Sequence, residues 1–480
     1  MNNLIKTQVL VLGSGPGGYS AAFRCSDLGF HTTIVERYPK LGGVCLNVGC
    51  IPSKTLLEIS KLIKTYKNLS KHEIFSKTSK IDFDINKISS WSHHIIGKLS
   101  QGLNSMSKKR NIKIIHGSGM FINKNSILVS NNQKKLNITF DHAIIAAGSH
   151  PISLPLAPKD QRIWNSSDAL ALQSIPKQLL IIGSGAVGLE IATIYHSLGT
   201  TIDLVETCSQ IIPILDDDIV NLFLKTFKKD INIFTNTKIN TIQSKEDGIH
   251  VSMINNIDSK IKYTKQYDAI LVAIGRAPNS HTLNLNEIGI HTNQHGFIIV
   301  DKQMRTNIPH IFAIGDIVGQ PMLAHKSAHE GHIAAEVIAG EKRYFDSKVI
   351  PSIIYTHPEI AWVGYTEKSA QDKNLNYETA TFPWNVLGKA ISSDSTTGIT
   401  KLIFDKKTNR IIGGIVLGTN ASEIIGEIAL AIEMGCDVED ITLTIHAHPT
   451  LYESISLAAS VYNGTITELI NTKKFIGSKF

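Results

Sequence analysis

The first strongly apolar run of the chain, Val9–Leu12, leads into a glycine-rich turn and then into a helical pattern that ends near Leu28. A second apolar run, Thr32–Val35, follows directly after Gly29. Short apolar runs bounded by turn residues are typical of strands buried in a parallel sheet. The pattern therefore predicts a strand–helix–strand unit at the start of the chain.

The same block recurs 170 residues later, where the apolar run Leu179–Ile182 is followed by a glycine-rich turn, a helical pattern and a second strand. Three glycines and a terminal glutamate keep their spacing in the two copies, as Gly13, Gly15, Gly18 and Glu36 and then as Gly183, Gly185, Gly188 and Glu206. Such a turn between strand and helix, with an acid about 20 residues on, is the fingerprint of a dinucleotide site. Two copies predict two bound dinucleotides.

Each residue type in this fingerprint has a physical task. The first glycine allows the tight turn, the second lets the backbone approach a pyrophosphate, and the third packs helix against strand. The helix N-terminus faces the phosphates, and the glutamate accepts hydrogen bonds from ribose hydroxyls. No arginine follows Glu206 to hold a 2′-phosphate, so NAD is favoured over NADP at the second site.

The remaining pattern predicts an α/β fold in which two Rossmann-like dinucleotide-binding domains precede a separate α+β domain. Between the two units lie a helical insertion near 53–110 and a proline-rich stretch at 151–158. From about Pro351 the pattern changes to antiparallel strands and helices.

Composition agrees with a soluble enzyme: of 480 residues, 42% are hydrophobic and 19% are charged. No apolar run is long enough to span a bilayer, and the polar start of the chain lacks a signal-peptide pattern, so we expect a cytoplasmic protein without membrane insertion. The net charge of +7 comes from scattered lysines. Nucleic-acid binding is therefore not predicted.

Two of the five cysteines, Cys45 and Cys50, lie just after the first unit. An odd cysteine count argues against a disulfide scaffold, and a zinc site would need two more ligands nearby, so no metal site is predicted. A regular helix would hold the two too far apart to bridge, so the turn between them should be distorted. Pro52 suits the first turn of a helix, which would place Cys50 at its positive end and favour the thiolate. Thiols beside a dinucleotide indicate a flavin-linked dithiol oxidoreductase.

Further motifs resemble the pyridine-nucleotide disulfide reductases from about residue 8 to residue 470. They are GGVCLNVGCIPSK at 42–54, AAG at 146–148, AIGR at 273–276, AIGDI at 313–317 and HAHPTLYE at 446–453. The resemblance implies an FAD domain at 1–150, an NAD domain at 151–280, a central domain at 281–350 that completes the FAD site, and a dimerisation domain at 351–480. The chain is most similar to the members that oxidise protein-bound dihydrolipoamide in 2-oxo acid dehydrogenase complexes.

That resemblance also implies roles. Cys45 would exchange with the substrate dithiol, and Cys50 would pass electrons through FAD to NAD+. His448 would be the base, oriented by Glu453, and the pair would come from the opposite subunit of a homodimer; His446 is the alternative base. The partners would be lipoyl domains of an E2 acyltransferase. Tyr452 departs from the family pattern, in which histidine is common at this position.

Cofactor contacts are implied residue by residue, with Lys54 paired to Glu190. The contacts to FAD are Gly13, Gly15, Gly18, Glu36, Gly43, Lys54, Gly117, Asp316 and Ala324. Those on the NAD side are Gly183, Gly185, Gly188, Glu190, Glu206 and Gly275.

Three alternatives stay open. The nearest is another NAD(P)H-dependent disulfide reductase, similar to glutathione or mercuric reductase. Glu206 speaks against an NADPH enzyme, and the 470–480 segment has no second cysteine pair of the mercuric-reductase kind. The other two are a scaffold that has lost turnover and a basic nucleic-acid binder, which salt-sensitive retention on DNA would test.

Overall fold

The computed structural model of the chain describes residues 4–71, 83–131 and 134–470. The first glycine-rich unit and the helical insertion that follows it lie in the first part of the chain. Its elements are β1 (Leu4–Leu12), α1 (Pro16–Asp27), β2 (Thr32–Glu36), α2 (Gly43–Val48), α3 (Cys50–Lys71), α4 (Ile85–Lys109), β3 (Lys113–His116), β4 (Ser118–Asn123), β5 (Ser126–Ser130), β6 (Lys135–Ile145) and β7 (Ser149–Pro151). The predicted helical insertion corresponds to α3 and α4, and its 72–82 portion lies outside the described residues.

The second unit has the same strand–helix–strand start and then adds an antiparallel layer. Its elements are β8 (Ile163–Trp164), α5 (Ser166–Leu170), β9 (Gln178–Ile182), α6 (Ala186–Ser197), β10 (Thr201–Val205), α7 (Asp217–Phe227), β11 (Asn232–Phe234), β12 (Thr237–Lys245), β13 (Gly248–Asn255), β14 (Lys262–Tyr267), β15 (Ala269–Val272) and β16 (Arg276–Pro278).

The last part of the chain returns to the first unit and then forms its own antiparallel sheet. Its elements are α8 (Leu285–Ile288), β17 (Ile311–Ala313), α9 (Ala324–Ile338), β18 (Ser352–Ile354), β19 (Glu359–Gly364), α10 (Glu367–Asp372), β20 (Tyr377–Pro383), α11 (Gly388–Ser392), β21 (Ile399–Asp405), β22 (Ile411–Gly418), α12 (Ala421–Met434), α13 (Val438–Leu443) and α14 (Ser454–Asn463). One-turn 3-10 helices lie at Asn279–Thr282, Gly315–Val318 and Trp384–Val386.

In the first unit the strand order is β3-β2-β1-β6-β5-β4, and β17 adds parallel to β6. In the second unit it is β11-β10-β9-β15-β8, parallel throughout. In both, the central strand enters a glycine turn at its carboxyl end, which is where ligands bind in open parallel sheets. The third sheet, β18-β19-β22-β21-β20, is antiparallel. The predicted α/β class, with two dinucleotide-binding units and a C-terminal α+β domain, is confirmed.

Hydrophobic burial explains why the central strands form. The side chains of Leu10, Val11, Leu180 and Ile181 have no solvent exposure, and each such side chain contributes about 1.5–3 kcal/mol when fully buried. No helix in the described ranges is both long enough and apolar enough to cross a bilayer.

A buried ammonium group joins the second unit to the C-terminal sheet. Lys401 on β21 lies 3.0 Å from a carboxylate oxygen of Asp216 and 2.9 Å from one of Asp218, and it also pairs with Glu367. Although burial by itself lowers the pKa of Lys401, these carboxylates hold it above its ordinary value. The acidic cluster is therefore occupied by a protein cation.

Candidate active site

The two cysteines are brought together by a break between consecutive helices. Helix α2 ends at Val48, Gly49 takes φ −139° and ψ −107°, and α3 begins at Cys50. The break reduces the Cα–Cα distance between Cys45 and Cys50 to 4.7 Å, and they form a disulfide. A Cβ at position 49 would lie only 2.9 Å from the carbonyl oxygen of Val44, which explains why this position is occupied by glycine. The distortion expected from the sequence is present.

The disulfide lines one end of a cavity of about 460 Å³, a size typical of cofactor sites. The carboxyl ends of β1, β2 and β6 and the start of α9 form its other walls. The predicted residues that line it are Cys45, Cys50, Gly13, Gly15, Gly18, Glu36, Gly43, Lys54, Gly117, Glu190, Asp316 and Ala324. The structure thus brings together all the residues that the sequence analysis assigned to FAD.

The first glycine turn has the shape that a pyrophosphate requires. Gly13 has a left-handed φ of +106°, and a Cβ there would collide with the carbonyl oxygen of Ala146. Gly18 packs so closely on Gly13 that a Cβ would collide with its carbonyl oxygen, whereas Gly15 faces open space. The start of α1 has no side-chain cap, so its backbone N–H groups are available to an anion. These residues fit the diphosphate of FAD.

The acid of each unit is held by a serine that lies between the first two glycines of its turn. Glu36, which is only 4% exposed, accepts from Ser14 N (2.9 Å) and Ser14 Oγ (2.6 Å) through Oε2, and from Tyr38 N (2.9 Å) through Oε1. Ser184 makes the same two bonds to Glu206, at 3.1 and 2.6 Å. The sequence analysis missed both serines, although their recurrence at equivalent positions was a usable signal.

Lys54 on α3 contacts Glu190 on α6, so a cation from the first unit meets an acid from the second. Nζ lies 3.1 and 3.0 Å from the two carboxylate oxygens, and it also lies 4.2 Å from the ring centre of Tyr355. The buried carboxylate of Glu190 accepts further bonds from Ser53 Oγ (3.1 Å) and Tyr355 N (3.2 Å). The charge of Lys54 is thus held in place on α3, about one turn after Cys50. No sequence motif pointed to Tyr355.

Asp316 lies just after β17 and accepts from Ser149 Oγ at 2.5 Å. Arg276 donates to the same Oγ (2.7 Å) and to the Ser149 carbonyl (2.8 Å). Burial lowers the pKa of the Arg276 guanidinium, and the charge of Asp316 opposes that shift. The sequence analysis quoted Arg276 within a motif but gave it no role.

A second cavity, of about 400 Å³, lies at the second glycine turn. Of the predicted NAD-side residues, Gly183, Gly185, Glu206 and Gly275 line it. Gly188 lies beneath it, where a Cβ would collide with the carbonyl oxygen of Gly183, and Glu190 lines the first cavity instead. Both cavities are lined by Ser166, Ala186, Val187 and Arg276, so the two spaces meet. Two cofactors bound in these cavities would therefore be neighbours.

Glu206 is ionised more readily than an ordinary glutamate. Burial opposes ionisation, but bonds from Ser184 Oγ and from the backbone N–H groups of Cys208 (2.9 Å) and Ser184 outweigh it, so the pKa of Glu206 lies below its usual range. Thr207 Oγ1 also donates to it at 3.2 Å. An ionised acceptor at this point suits a free ribose diol.

His448 and Glu453 line neither cavity. They lie on the loop between α13 and α14, where His448 Nδ1 is 2.9 Å from Glu453 Oε1 and the His448 side chain is 76% exposed. Glu453 Oε2 accepts from Thr450 N at 2.6 Å. The peptide bond between His448 and Pro449 is cis. Within one chain, therefore, His448 and Glu453 are paired with each other, but they do not line the cavity that contains the disulfide.

Apolar side chains near His448 are left in solvent by the single chain. Ile445, three positions before His448, is 97% exposed, and Leu443, Leu430 and Met434 are also exposed. Clustered exposed apolar residues of this kind mark a protein interface.

Comparison with known proteins gives two family matches. The model described as pyridine nucleotide-disulphide oxidoreductase matches residues 7–331, and the one for the dimerisation domain of the same proteins matches residues 350–459.

The chain is similar over nearly its whole length to curated proteins called dihydrolipoyl dehydrogenase. It is 57% identical to one from Vibrio cholerae, covering 98% of this chain and 99% of that protein. It is 56% identical to one from Buchnera aphidicola subsp. Acyrthosiphon pisum, with the same coverage. Among solved structures, LpdA from Mycobacterium tuberculosis aligns with a TM-score of 0.86 at 25% identity, covering 94% of this chain and 99% of that one.

Proposed function

This chain belongs to the pyridine nucleotide-disulphide oxidoreductase family, and we propose that it oxidises protein-bound dihydrolipoyl groups to lipoyl groups with NAD+ as electron acceptor. The observation that carries the proposal is the Cys45–Cys50 disulfide in the wall of the first dinucleotide cavity, which shares lining residues with the second. A dithiol substrate and a disulfide can exchange electrons without any other reagent.

The cofactors are FAD and NAD, and the residues of the two cavities fit them. Bound FAD would supply the two-electron redox chemistry that links the reduced cysteines to NAD+. Gly13, Gly15, Gly18, Glu36, Gly43, Lys54, Gly117, Asp316 and Ala324 would hold FAD. Gly183, Gly185, Gly188, Glu206 and Gly275 would hold NAD, and Glu190 would hold Lys54 in place.

The chain's own residues account for the thiol chemistry. His448 takes a proton from one substrate thiol, and the resulting thiolate attacks Cys45 Sγ. The Cys45–Cys50 bond breaks, and Cys50 leaves as a thiolate that the N-terminus of α3 stabilises. The second substrate thiol then attacks the substrate sulfur of the mixed disulfide and closes the lipoyl ring, and its proton passes to Cys45, which leaves as a thiol. Two electrons have passed from substrate to protein.

We propose that the general base His448 and its partner Glu453 are supplied by a second copy of the chain. His448 is exposed and pairs with the largely buried Glu453, neither lines the cavity that contains the disulfide of their own chain, and both lie within the region matched by the dimerisation-domain model. Glu453 orients the ring through Nδ1, so Nε2 is the atom that takes the proton. The corresponding division is an FAD domain at 1–150, an NAD domain at 151–280, a central domain at 281–350 and a dimerisation domain at 351–480.

The proposed partners are lipoyl domains of an E2 acyltransferase in a 2-oxo acid dehydrogenase complex, because they carry the dihydrolipoyl group. The proposed location is the cytoplasm. Cys25, Cys208 and Cys436 are free thiols, which suits a reducing compartment.

An assay of two substrate pairs tests the reaction. We expect reduction of NAD+ by dihydrolipoamide and no comparable oxidation of NADPH by glutathione disulfide. The opposite preference would replace the proposal with a glutathione-reductase-like function. Loss of the first activity in Cys50→Ser would assign it to the disulfide.

Subunit mixing tests the shared site. Cys50→Ser and His448→Gln homodimers are each expected to be inactive, but a heterodimer of the two would contain one site with an intact disulfide and an intact base. Recovery of activity after the two proteins are dissociated and reassociated together supports the shared site. Failure to recover, with heterodimers demonstrated by a tag, would mean that each chain uses its own histidine.

A further inference from the structure

Two histidine–glutamate pairs lie on one loop, and they differ in their environments. In the pair described above, His448 is exposed and Glu453 is largely buried. His446, two residues earlier, has a side chain that is only 3% exposed, and its Nε2 lies 2.6 Å from Oε1 of Glu427 on α12. Its Nδ1 lies 2.8 Å from the carbonyl oxygen of Thr444.

The hydrogen-bond partners determine the charge of His446. A neutral imidazole has one donor and one acceptor nitrogen, but a carboxylate and a carbonyl oxygen can only accept. Both ring nitrogens of His446 must therefore donate, which makes the ring a cation held by an anion. In agreement, the hydrogen bond that His446 donates to Glu427 raises the pKa of His446, although burial opposes the shift.

This arrangement also separates the two candidate bases. His446 has no nitrogen available to accept a proton from a substrate, since both already carry one. His448 uses only Nδ1 among the residues that the structure describes, so its Nε2 remains available.

The ion pair fixes the loop at the point where His448 is presented. The Tyr452 ring lies 5.4 Å from the His446 ring, and the Tyr452 hydroxyl accepts from Ala447 N at 3.1 Å. Thr450 Oγ1 donates to the Ala447 carbonyl at 2.7 Å. Ala447, the single residue between the two histidines, is therefore held on both sides while Glu427 ties the segment to α12.

We propose that His446 and Glu427 are positioning residues, which anchor the catalytic loop to α12 so that His448 is held in the orientation needed to take a proton from the substrate dithiol. This inference rests on the proposed function. Helix α12 does not need the pair to pack, because its side chains Ile424, Ile425 and Ile428 are buried in the core of the C-terminal sheet. Loss of the pair should therefore loosen the loop and leave the fold intact.

The test compares two activities of the purified holoenzyme in wild type, His446→Gln and Glu427→Gln. Oxidation of dihydrolipoamide by NAD+ needs the base, whereas oxidation of NADH by ferricyanide does not. We expect kcat for dihydrolipoamide to fall about ten- to hundredfold in each variant, since a base misplaced by about 1 Å loses that much rate. The ferricyanide activity, flavin content and dimer size should stay within twofold of wild type.

Two further variants make the result specific. Glu423→Gln removes an exposed carboxylate one turn earlier on α12 and should leave both activities unchanged. The double variant His446→Gln/Glu427→Gln should lose no more than either single variant, because the two act as one unit. If the activity lost in the double variant equals the product of the losses in the two single variants, the two residues do not act as one unit.

The remaining outcomes separate this inference from the proposed function. Equal loss of both activities, or loss of flavin, would mean that the pair supports the general fold and would overturn the positioning role. Unchanged dihydrolipoamide oxidation in both variants would overturn it as well, with the proposed function intact. Absence of dihydrolipoamide oxidation in the wild type would overturn both.

Discussion

The two glycine-rich units share a backbone motif but differ in what covers them. In each, a serine donates two hydrogen bonds to the glutamate that ends the second strand. Gly43, which precedes the two cysteines, packs over the first turn so closely that a Cβ on residue 43 would lie 2.6 Å from the Cα of Gly15. Helix α9 also packs against α1. A Cβ on either Gly15 or Gly185 would meet nothing within 4 Å, so the two turns themselves are equally open. The motif thus specifies the class of ligand, and the surroundings specify how firmly it is enclosed.

The two glutamates show the same difference. Glu36 is buried, while Glu206 is partly exposed and also accepts from the exposed Thr207 hydroxyl. That hydroxyl can be exchanged for a ribose hydroxyl at little cost, because water can satisfy it when it is displaced. The first unit is suited to a cofactor that stays bound, and the second to one that enters and leaves on each turnover.

The largest expected effect comes from the first glycine of each turn. Gly13→Ala and Gly183→Ala both place a side chain at a left-handed φ and against a carbonyl oxygen. Gly13→Ala should yield protein without flavin, whereas Gly183→Ala should keep its flavin and bind NADH about a hundredfold more weakly. Flavin absorbance and NADH fluorescence titration measure the two effects.

Gly29→Ala and Gly199→Ala are matched controls, because both have a left-handed φ but open space around the added Cβ. They should be milder than the turn variants. If all four variants behave alike, backbone strain and not the turn geometry controls cofactor binding.

The next effect concerns the charge of each glutamate. Glu206→Gln should weaken NADH binding about tenfold, since bonds to a charged acceptor contribute about 1.5–3 kcal/mol. Glu36→Gln should speed flavin loss on dilution and leave the NADH affinity of flavin-loaded protein unchanged. Equal weakening of NADH binding by both variants would contradict the separation of the two sites.

A smaller effect is expected from the serines that hold these acids. Ser184→Ala should raise the Kd for NADH by roughly fivefold, because one hydrogen bond contributes about 1 kcal/mol. Ser14→Ala should speed the release of flavin by a similar factor. Thr207→Ala serves as the exposed control, and an effect as large as that of Ser184→Ala would show that burial of the serine is unimportant.

The smallest effect is on stability in acid. Because the pKa of Glu206 is lower in the folded protein than its ordinary value of 4.5, its ionised form stabilises the fold above pH 4.5, and this stabilisation is lost as the pH falls through the folded value. Between about pH 6 and pH 4, the thermal midpoint should fall less in Glu206→Gln than in wild type. Parallel curves for the two proteins would refute this contribution.

Much of this molecule is encoded over short stretches of chain. Strand burial, glycine turns, the acid that follows each turn and the cysteine spacing depend on neighbours within about 25 positions, so periodicity and residue type predicted them. The sequence also indicated the redox role of Cys45 and Cys50, because two thiols beside a dinucleotide have a chemical purpose that an isolated pair lacks.

Other features depend on contacts that no local pattern encodes. Lys54 and Glu190 are 136 positions apart, and only the family resemblance had paired them; Ser149 and Asp316 are 167 apart, and Ser149 was not foreseen. The choice between His446 and His448 was open until the fold buried one ring against Glu427 and left the other exposed. Packing brings distant side chains together and sets how much water each one keeps, and those two quantities determine which groups are charged and which are free to react.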